Sequence, residues 1–159
     1  MRYREVIPEV IVGLGERTEF AEQEPPFKTV TSLHILLEDW LGDDLMKCHP
    51  CYIVTAQLKK ALEESHFTGF EFAKMEVTKD EYFHDNYQLD RKLPRFFWII
   101  INGRKDINDL YINDDNYRLM LSEKMFNWLK DNFNMNYLSD DNNDVDDFMK
   151  RFLESQKMM

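Results

Sequence analysis

The chain has 159 residues, of which 43 % are hydrophobic and 14 % aromatic. This composition excludes a disordered chain, and the length suits one domain with a real core. Thirty acidic residues outnumber 20 basic ones, which gives a formal charge of −10. Nucleic-acid backbones and anionic lipids attract basic surfaces, so the charge disfavours both as partners and permits a basic protein.

The ends and the cysteines bear on the cellular compartment. No apolar run approaches the roughly 20 residues of a membrane-spanning helix. Glu5, Pro8 and Glu9 interrupt any apolar core of a secretion signal. The two cysteines, Cys48 and Cys51, are too few for a disulfide scaffold and make a reducing compartment the default. We therefore expect a cytoplasmic protein that makes no membrane contact.

Strands are predicted where short runs rich in Val, Ile or aromatic residues lie between turn signals. Residues 16–28 are predicted to form a loop, because Pro25-Pro26 fits neither a helix nor a central strand. Residues 96–101 are apolar at every position, which is typical of a strand inside a sheet covered on both faces. The predicted strands are 5–12, 52–54, 70–77, 96–101, 110–112 and 117–121.

Helices are predicted where apolar side chains recur at a spacing of 3.6 residues. In the first helix, leucines and a tryptophan share one face, Ser32 can cap the start, and Gly42 can end it in a left-handed turn. Thr55 and Ser122 can cap the second and third helices. Acids precede the apolar stripe of the fourth, where the helix dipole favours them. The predicted helices are 32–41, 55–66, 122–133 and 144–156.

Together these elements predict a single α+β domain over residues 1–159. In it, a mixed or antiparallel sheet centred on 96–101 is covered by the four helices. Residues 1–45 form an N-terminal strand, loop and helix, and residues 46–159 form the main portion.

The main portion contains an internal similarity. At an offset of 67 residues, the strand–helix–strand unit of 52–70 matches that of 119–137, with Thr55 aligned on Ser122. The match fits a structural duplication, and it equally fits two unrelated capped helices between strands.

The segment Cys48-His49-Pro50-Cys51 has the spacing of redox and zinc motifs. Redox motifs are followed directly by a helix that lowers the thiol pKa, whereas here a short strand follows and nearby acids would raise it. Zinc requires two further ligands, and only the unpaired His66 and His84 follow. Two buried thiols are the expected state, with thiol redox or metal chemistry as the alternative.

The aspartate-rich run beginning at Asp140 does not fit a calcium loop. In EF-hand register, Val145 stands where glycine is needed and Arg151 where a bidentate glutamate is needed. Elsewhere the sequence offers no nucleophile, base and orienting residue that belong together. We therefore expect no metal, no cofactor and no enzymatic activity.

Two segments are rich in acids and contain no basic residue: 106–116 has four acids and 139–147 has five. An acidic face would steer a basic partner toward the protein, although net charge also serves solubility alone. A third interpretation is a nucleic-acid mimic that binds a basic protein. The predicted partner-binding residues are Asp106, Asp109, Asp114, Asp115, Asp140, Asp141 and Asp144.

Two phrases of the sequence carry a family resemblance. One begins Tyr52-Ile-Val-Thr-Ala-Gln-Leu-Lys-Lys-Ala-Leu and ends Thr68-Gly-Phe-Glu-Phe. The other joins Phe96-Phe-Trp-Ile to Leu119-Met-Leu-Ser-Glu-Lys-Met-Phe-Asn-Trp-Leu-Lys. Over about residues 50–140 the chain resembles bacterial immunity proteins, which neutralise polymorphic toxins by direct binding. The resemblance implies a non-catalytic, cytoplasmic protein whose partner is a toxin domain, and it transfers no site residues.

Overall fold

The computed structural model describes residues 1–10, 12–79, 93–136 and 138–140. Within these ranges the chain forms thirteen strands and two helices. The helices are α1 (Ala56–Glu63) and α2 (Glu123–Asn132). The strands are β1 (Tyr3–Ile7), β2 (Val12–Leu14), β3 (Glu19–Phe20), β4 (Val30–Ser32), β5 (His34–Leu37), β6 (Leu45–Cys48), β7 (Cys51–Thr55), β8 (Phe70–Ala73), β9 (Glu76–Lys79), β10 (Phe96–Ile101), β11 (Leu110–Ile112), β12 (Leu119–Ser122) and β13 (Ser139–Asp140).

Two antiparallel four-stranded sheets form the centre of the fold. Sheet I has the strand order β6-β7-β10-β8, and sheet II has the order β11-β12-β1-β13. Buried side chains from both sheets and both helices form one hydrophobic core, including Val54, Leu58, Leu119 and Leu129. Sheets and helices therefore stabilise one another by burying a shared apolar surface.

A second core covers the opposite face of sheet I. It brings Ile35 and Leu37 of β5 against Met46, Ile53 and Trp98 of sheet I. Strand β5 lies in a smaller sheet of order β2-β5-β9, and β3 pairs with β4 in a two-stranded ribbon. Because both faces of sheet I are covered, β7 is buried at all five positions.

Each helix begins at a side-chain hydroxyl. The Thr55 hydroxyl accepts a hydrogen bond from the Leu58 backbone N–H, and the Ser122 hydroxyl accepts one from Met125 N–H. These bonds satisfy N–H groups that have no partner inside a helix. The apolar stripes of both helices then face the shared core.

The predicted helix 32–41 is wrong, because the structure has strands β4 and β5 there. Leu33, Ile35 and Leu37 also alternate with a period of two, and this alternation faces the second core, where each is at most 2 % exposed. Hydrogen bonding to β2 on one side and β9 on the other fixes β5 as a strand. The leucine-rich sequence thus fits both the helical spacing of 3.6 residues and the strand spacing of two, and pairing with β2 and β9 selects the strand.

The predicted α+β fold, with one sheet under four helices, is also wrong. Strands in four sheets dominate the described residues, which contain only the two short helices. The predicted helix 144–156 lies outside the described residues. The predicted strands 5–12 and 70–77 each divide into two strands that belong to different sheets. In the first case β1 ends directly before Pro8, which has no N–H group to donate to a neighbouring strand.

Candidate functional site

One of the predicted partner-binding acids, Asp109, is engaged inside the fold. Its Oδ1 accepts a hydrogen bond from Ser122 Oγ at 2.8 Å, and its Oδ2 accepts one from Thr68 N at 3.0 Å. The residue is half-buried. A carboxylate occupied in this way holds the start of α2 in place, so its role is structural.

Three predicted acids, Asp106, Asp114 and Asp115, are exposed on two neighbouring loops. These loops follow β10 and β11, and between them lies a polar cavity of about 640 Å³ that Asp114 and Asp115 line. Arg104 and Lys105 line the same cavity, so the surface mixes both charges. The Asp106 carboxylate lies 3.5 Å from the N-terminal amine.

The remaining predicted acids lie at the end of the chain. Asp140 belongs to β13, where its backbone pairs with Val6 of β1. Asp141 and Asp144 lie outside the described residues. Asp106, Asp114 and Asp115 therefore remain as the described candidates for an acidic contact surface.

A cleft of about 400 Å³ lies beside the β11–β12 turn. Phe27 and Tyr117, which are 48 % and 52 % exposed, both line it. Lys28, the residue after Phe27, contacts Tyr117, since its Nζ lies 3.4 Å from the Tyr117 hydroxyl and 5.7 Å from the ring centroid. His49 also lines the cleft. We call this the aromatic cleft, whose apolar walls are Pro26, Phe27, Pro50, Tyr52, Ile112 and Tyr117.

A shallower cavity of about 220 Å³ continues from the aromatic cleft along β10. The two share Lys28, Pro50, Tyr52 and Ile112, so they form one elongated depression. Exposed aromatic side chains beside an elongated apolar depression are typical of surfaces that bind another protein.

The thiols of Cys48 and Cys51 are free and buried at the closing pair of the β6–β7 hairpin. Burial raises the pKa of Cys48 to about 11. Burial, together with the neighbouring Cys48, raises the pKa of Cys51 to about 12. Catalytic thiols need a lowered pKa, so these values disfavour thiolate chemistry near neutral pH.

The arrangement closest to a nucleophile and base is the pair Thr78 and His34. His34 Nε2 lies 2.8 Å from Thr78 Oγ1, but its Nδ1 lies 3.2 Å from the Arg17 backbone N–H. Because Nδ1 accepts that bond, a neutral His34 carries its proton on Nε2 and donates it to Thr78. The imidazole in this tautomer cannot remove a proton from the hydroxyl.

Among the carboxyl groups that the structure describes, Glu9 has the environment that most nearly fits a general acid. Burial, then Asp43, then Asp39 raise its pKa. Its Oε2 is a buried atom without a hydrogen-bond partner. In the part of the chain that the structure describes, no three His, Cys, Asp or Glu residues form a group that could hold a metal ion.

The sequence-based reasoning missed the aromatic cleft. It assigned residues 16–28 to a loop and 117–121 to a strand, and nothing local indicates that Phe27 and Tyr117 meet. The available signal was weak: Phe27 follows two prolines, and Tyr117 follows a turn-forming Asn-Asp-Asp-Asn run. Both observations favour exposed loop positions, where an aromatic residue is unusual.

Comparison of the chain with known protein families, with curated proteins and with solved structures finds no match. Neither helix of the described part is long and apolar enough to cross a membrane.

Proposed function

We propose that this protein is a non-catalytic, cytoplasmic protein-binding module that neutralises a toxin domain, in the manner of bacterial immunity proteins. The observation that carries the proposal is the pair of exposed aromatic side chains, Phe27 and Tyr117, at the aromatic cleft. Large aromatic side chains that become buried on binding contribute most of the energy of many interfaces. The polar cavity that Asp114 and Asp115 line shares Ile112 with the cleft, and it supplies the polar surround that is typical of such interfaces.

The partner in this proposal contacts the β11–β12 turn from both sides. The exposed Asp106, Asp114 and Asp115 meet basic residues of the toxin domain, which increases the rate of encounter. The aromatic cleft then takes up an apolar part of the partner. Neutralisation follows if the toxin's active site is covered, and it requires no cofactor.

The proposal is tested with the protein encoded next to this gene, if that neighbour carries a toxin-like C-terminal domain. Calorimetry should detect a tight complex, and Phe27→Ala and Tyr117→Ala should each weaken it at least about tenfold. Val77→Ala is the matched control, since Val77 is 39 % exposed and lies outside the cleft. Failure of the neighbouring domain to bind, or equal effects of all three variants, would contradict the proposal.

A further inference from the structure

The aromatic cleft is bordered by cations, although the protein as a whole carries a charge of −10. Lys28 lines it directly. Lys47 lies beside it, with its Nζ 5.9 Å from the ring centroid of Tyr52, which forms part of the cleft wall. Two ammonium groups therefore border this apolar cleft on a protein of net negative charge.

Lys47 is partly removed from solvent. It is half-buried, and none of the described carboxylates lies within 4.0 Å of its Nζ. Burial, followed by repulsion from Arg118, lowers its pKa. Arg118 differs, because its guanidinium lies 3.7 Å from the carboxylate of Glu5. A partly desolvated ammonium without a carboxylate gains more from an incoming anion than a fully hydrated one does.

The walls of the cleft favour an extended peptide over a compact ligand. The depression runs from Phe27 and Tyr117 along β10 as far as Ile101. Its surfaces combine proline and aromatic rings with aliphatic side chains, as in grooves that bind extended, proline-containing segments. A segment lying there can place one side chain against Phe27 and Tyr117 and another near Lys47.

We infer that the aromatic cleft receives an extended acidic segment of the partner protein, with a carboxylate beside Lys47 and Lys28 and a proline or other apolar side chain in contact with Phe27 and Tyr117. This inference rests on the proposed function and deepens it. It gives the partner two kinds of contact: basic residues against Asp114 and Asp115, and an acidic segment on the opposite side of the same turn. Opposite charges on the two sides would fix the orientation of the complex.

The test uses the full-length protein and a display library of random peptides of about twelve residues, a length sufficient to span such a groove. Enriched peptides should carry Asp or Glu within one or two residues of a proline or a large apolar residue. The strongest binder is then synthesised with its carboxylate intact and with the corresponding amide. Amidation should weaken binding about tenfold.

Lys47→Gln should weaken binding of the acidic peptide about tenfold. It should leave binding of the amide peptide unchanged, because that peptide has no carboxylate with which Lys47 could interact. Lys60→Gln on α1 is the matched control, because it removes the same charge from an exposed position outside the cleft. Tyr117→Ala should abolish enrichment. Circular dichroism and urea unfolding of each variant verify that it folds.

Three outcomes would overturn the inference: enrichment of basic or uncharged peptides, equal effects of Lys47→Gln and Lys60→Gln, or self-association of the protein that Tyr117→Ala abolishes. If no peptide is enriched while the toxin domain still binds through Phe27 and Tyr117, the inference fails and the proposed function stands. If peptides bind as expected and the neighbouring domain does not, the proposed function fails instead.

Discussion

Sheets I and II are built from the same parts in the same order. In each, a hairpin leads into a helix and then into an edge strand, and a strand from elsewhere in the chain fills the gap between hairpin and edge. Strand β10 fills the gap in sheet I, and β1 fills the gap in sheet II. The registers agree as well, since Phe96 pairs with Thr55 and Tyr3 pairs with Ser122.

The hydrogen bonds around the two helix starts also correspond. Ala56 N donates to Arg95 O at 2.8 Å, and Glu123 N donates to Arg2 O at 2.9 Å. In both cases the first residue of the helix is tied to the residue just before the inserted strand. The equivalence therefore extends to individual backbone atoms well outside the region in which the sequence shows similarity.

The fold thus has two halves, sheet I with α1 and sheet II with α2, and an aspartate in each half forms hydrogen bonds to the other. Asp44 accepts from the hydroxyl of Thr55 at 2.6 Å and from the N–H of Asn134, which follows α2. Asp109 does the same with Ser122 and with Thr68, which follows α1. Each aspartate thus fixes the start of its own helix and the end of the opposite one.

Burial is what distinguishes the halves. Sheet I has cores on both faces, and Asp44 is only 4 % exposed, whereas Asp109 is half-buried. The same hydrogen-bonding pattern should therefore contribute unequally to stability, because an unsatisfied buried donor costs more than one that water reaches.

The largest expected effect is that of Asp44→Ala. It leaves the buried hydroxyl of Thr55 without its acceptor and removes the hydrogen bond from Asn134 N–H, so it should lower the free energy of unfolding by about 3 kcal/mol. The equivalent change, Asp109→Ala, should cost about 1 kcal/mol, since water can replace the carboxylate there. Urea unfolding measures both, with the exposed Asp115→Ala as a control expected within about 0.5 kcal/mol of the parent. Equal losses at Asp44 and Asp109 would contradict the role given to burial.

The second prediction concerns pH, because both thiols lie in sheet I. In the unfolded chain they titrate near 9.0, whereas burial raises the pKa to about 11 for Cys48 and about 12 for Cys51. The native state therefore retains protons that the unfolded state releases. Stability is fully present below pH 9 and falls as pH rises above it, by about 1.4 kcal/mol per thiol per pH unit at the steepest.

Urea unfolding between pH 8 and 10 measures this slope. The double variant Cys48→Ala/Cys51→Ala should show a much flatter dependence, whatever its stability at pH 8. A slope that survives in the double variant would assign the effect to other groups. Tyr52, whose pKa burial raises to about 12 from 10.0, contributes mainly above this range.

The smallest effect on stability is expected at the hairpin turns, where the halves differ in charge. The β6–β7 turn is His49-Pro50, whereas the β11–β12 turn carries Asp114 and Asp115. Asp114→Lys/Asp115→Lys should leave the free energy of unfolding within about 0.5 kcal/mol. The same change should slow association with a basic toxin domain about tenfold at low salt.

Stopped-flow association at several salt concentrations measures that rate. The matched control is Glu64→Lys/Glu71→Lys, which changes the charge equally at exposed positions away from the turn. An equal reduction in both variants would mean that overall charge, and not these two acids, steers the partner.

The sequence predicted elements whose determinants are local. Helices α1 and α2 follow from a capping hydroxyl and an apolar stripe within a dozen residues, and β10 follows from six apolar residues in a row. Residues 32–41 were misassigned because Leu33 to Leu41 fit two periods, and only pairing with β2 and β9 selects one. The sheet topology depends on pairs such as Tyr3 with Ser122, for which no local pattern exists.

In the candidate site, too, features with local determinants could be predicted and features that depend on distant residues could not. The exposed acids of the β11–β12 turn could be located from composition, but Asp109 could not be separated from them, because its partners Ser122 and Thr68 are distant in sequence. The aromatic cleft depends on three loops meeting: the one that carries Phe27 and the two equivalent hairpin turns.

Each sheet contains an inner strand that comes from elsewhere in the chain, and this has a consequence for folding during synthesis. Strand β1 leaves the ribosome before every other described strand, and its partners β12 and β13 are the last two described strands to be made. At about 5–20 residues per second, β1 must wait roughly ten seconds for them. Meanwhile sheet I lacks β10 until residue 101 has emerged, so neither half can close by itself. A nascent chain therefore stays open until residue 140 has emerged, and its unpaired strand edges are until then accessible to chaperones.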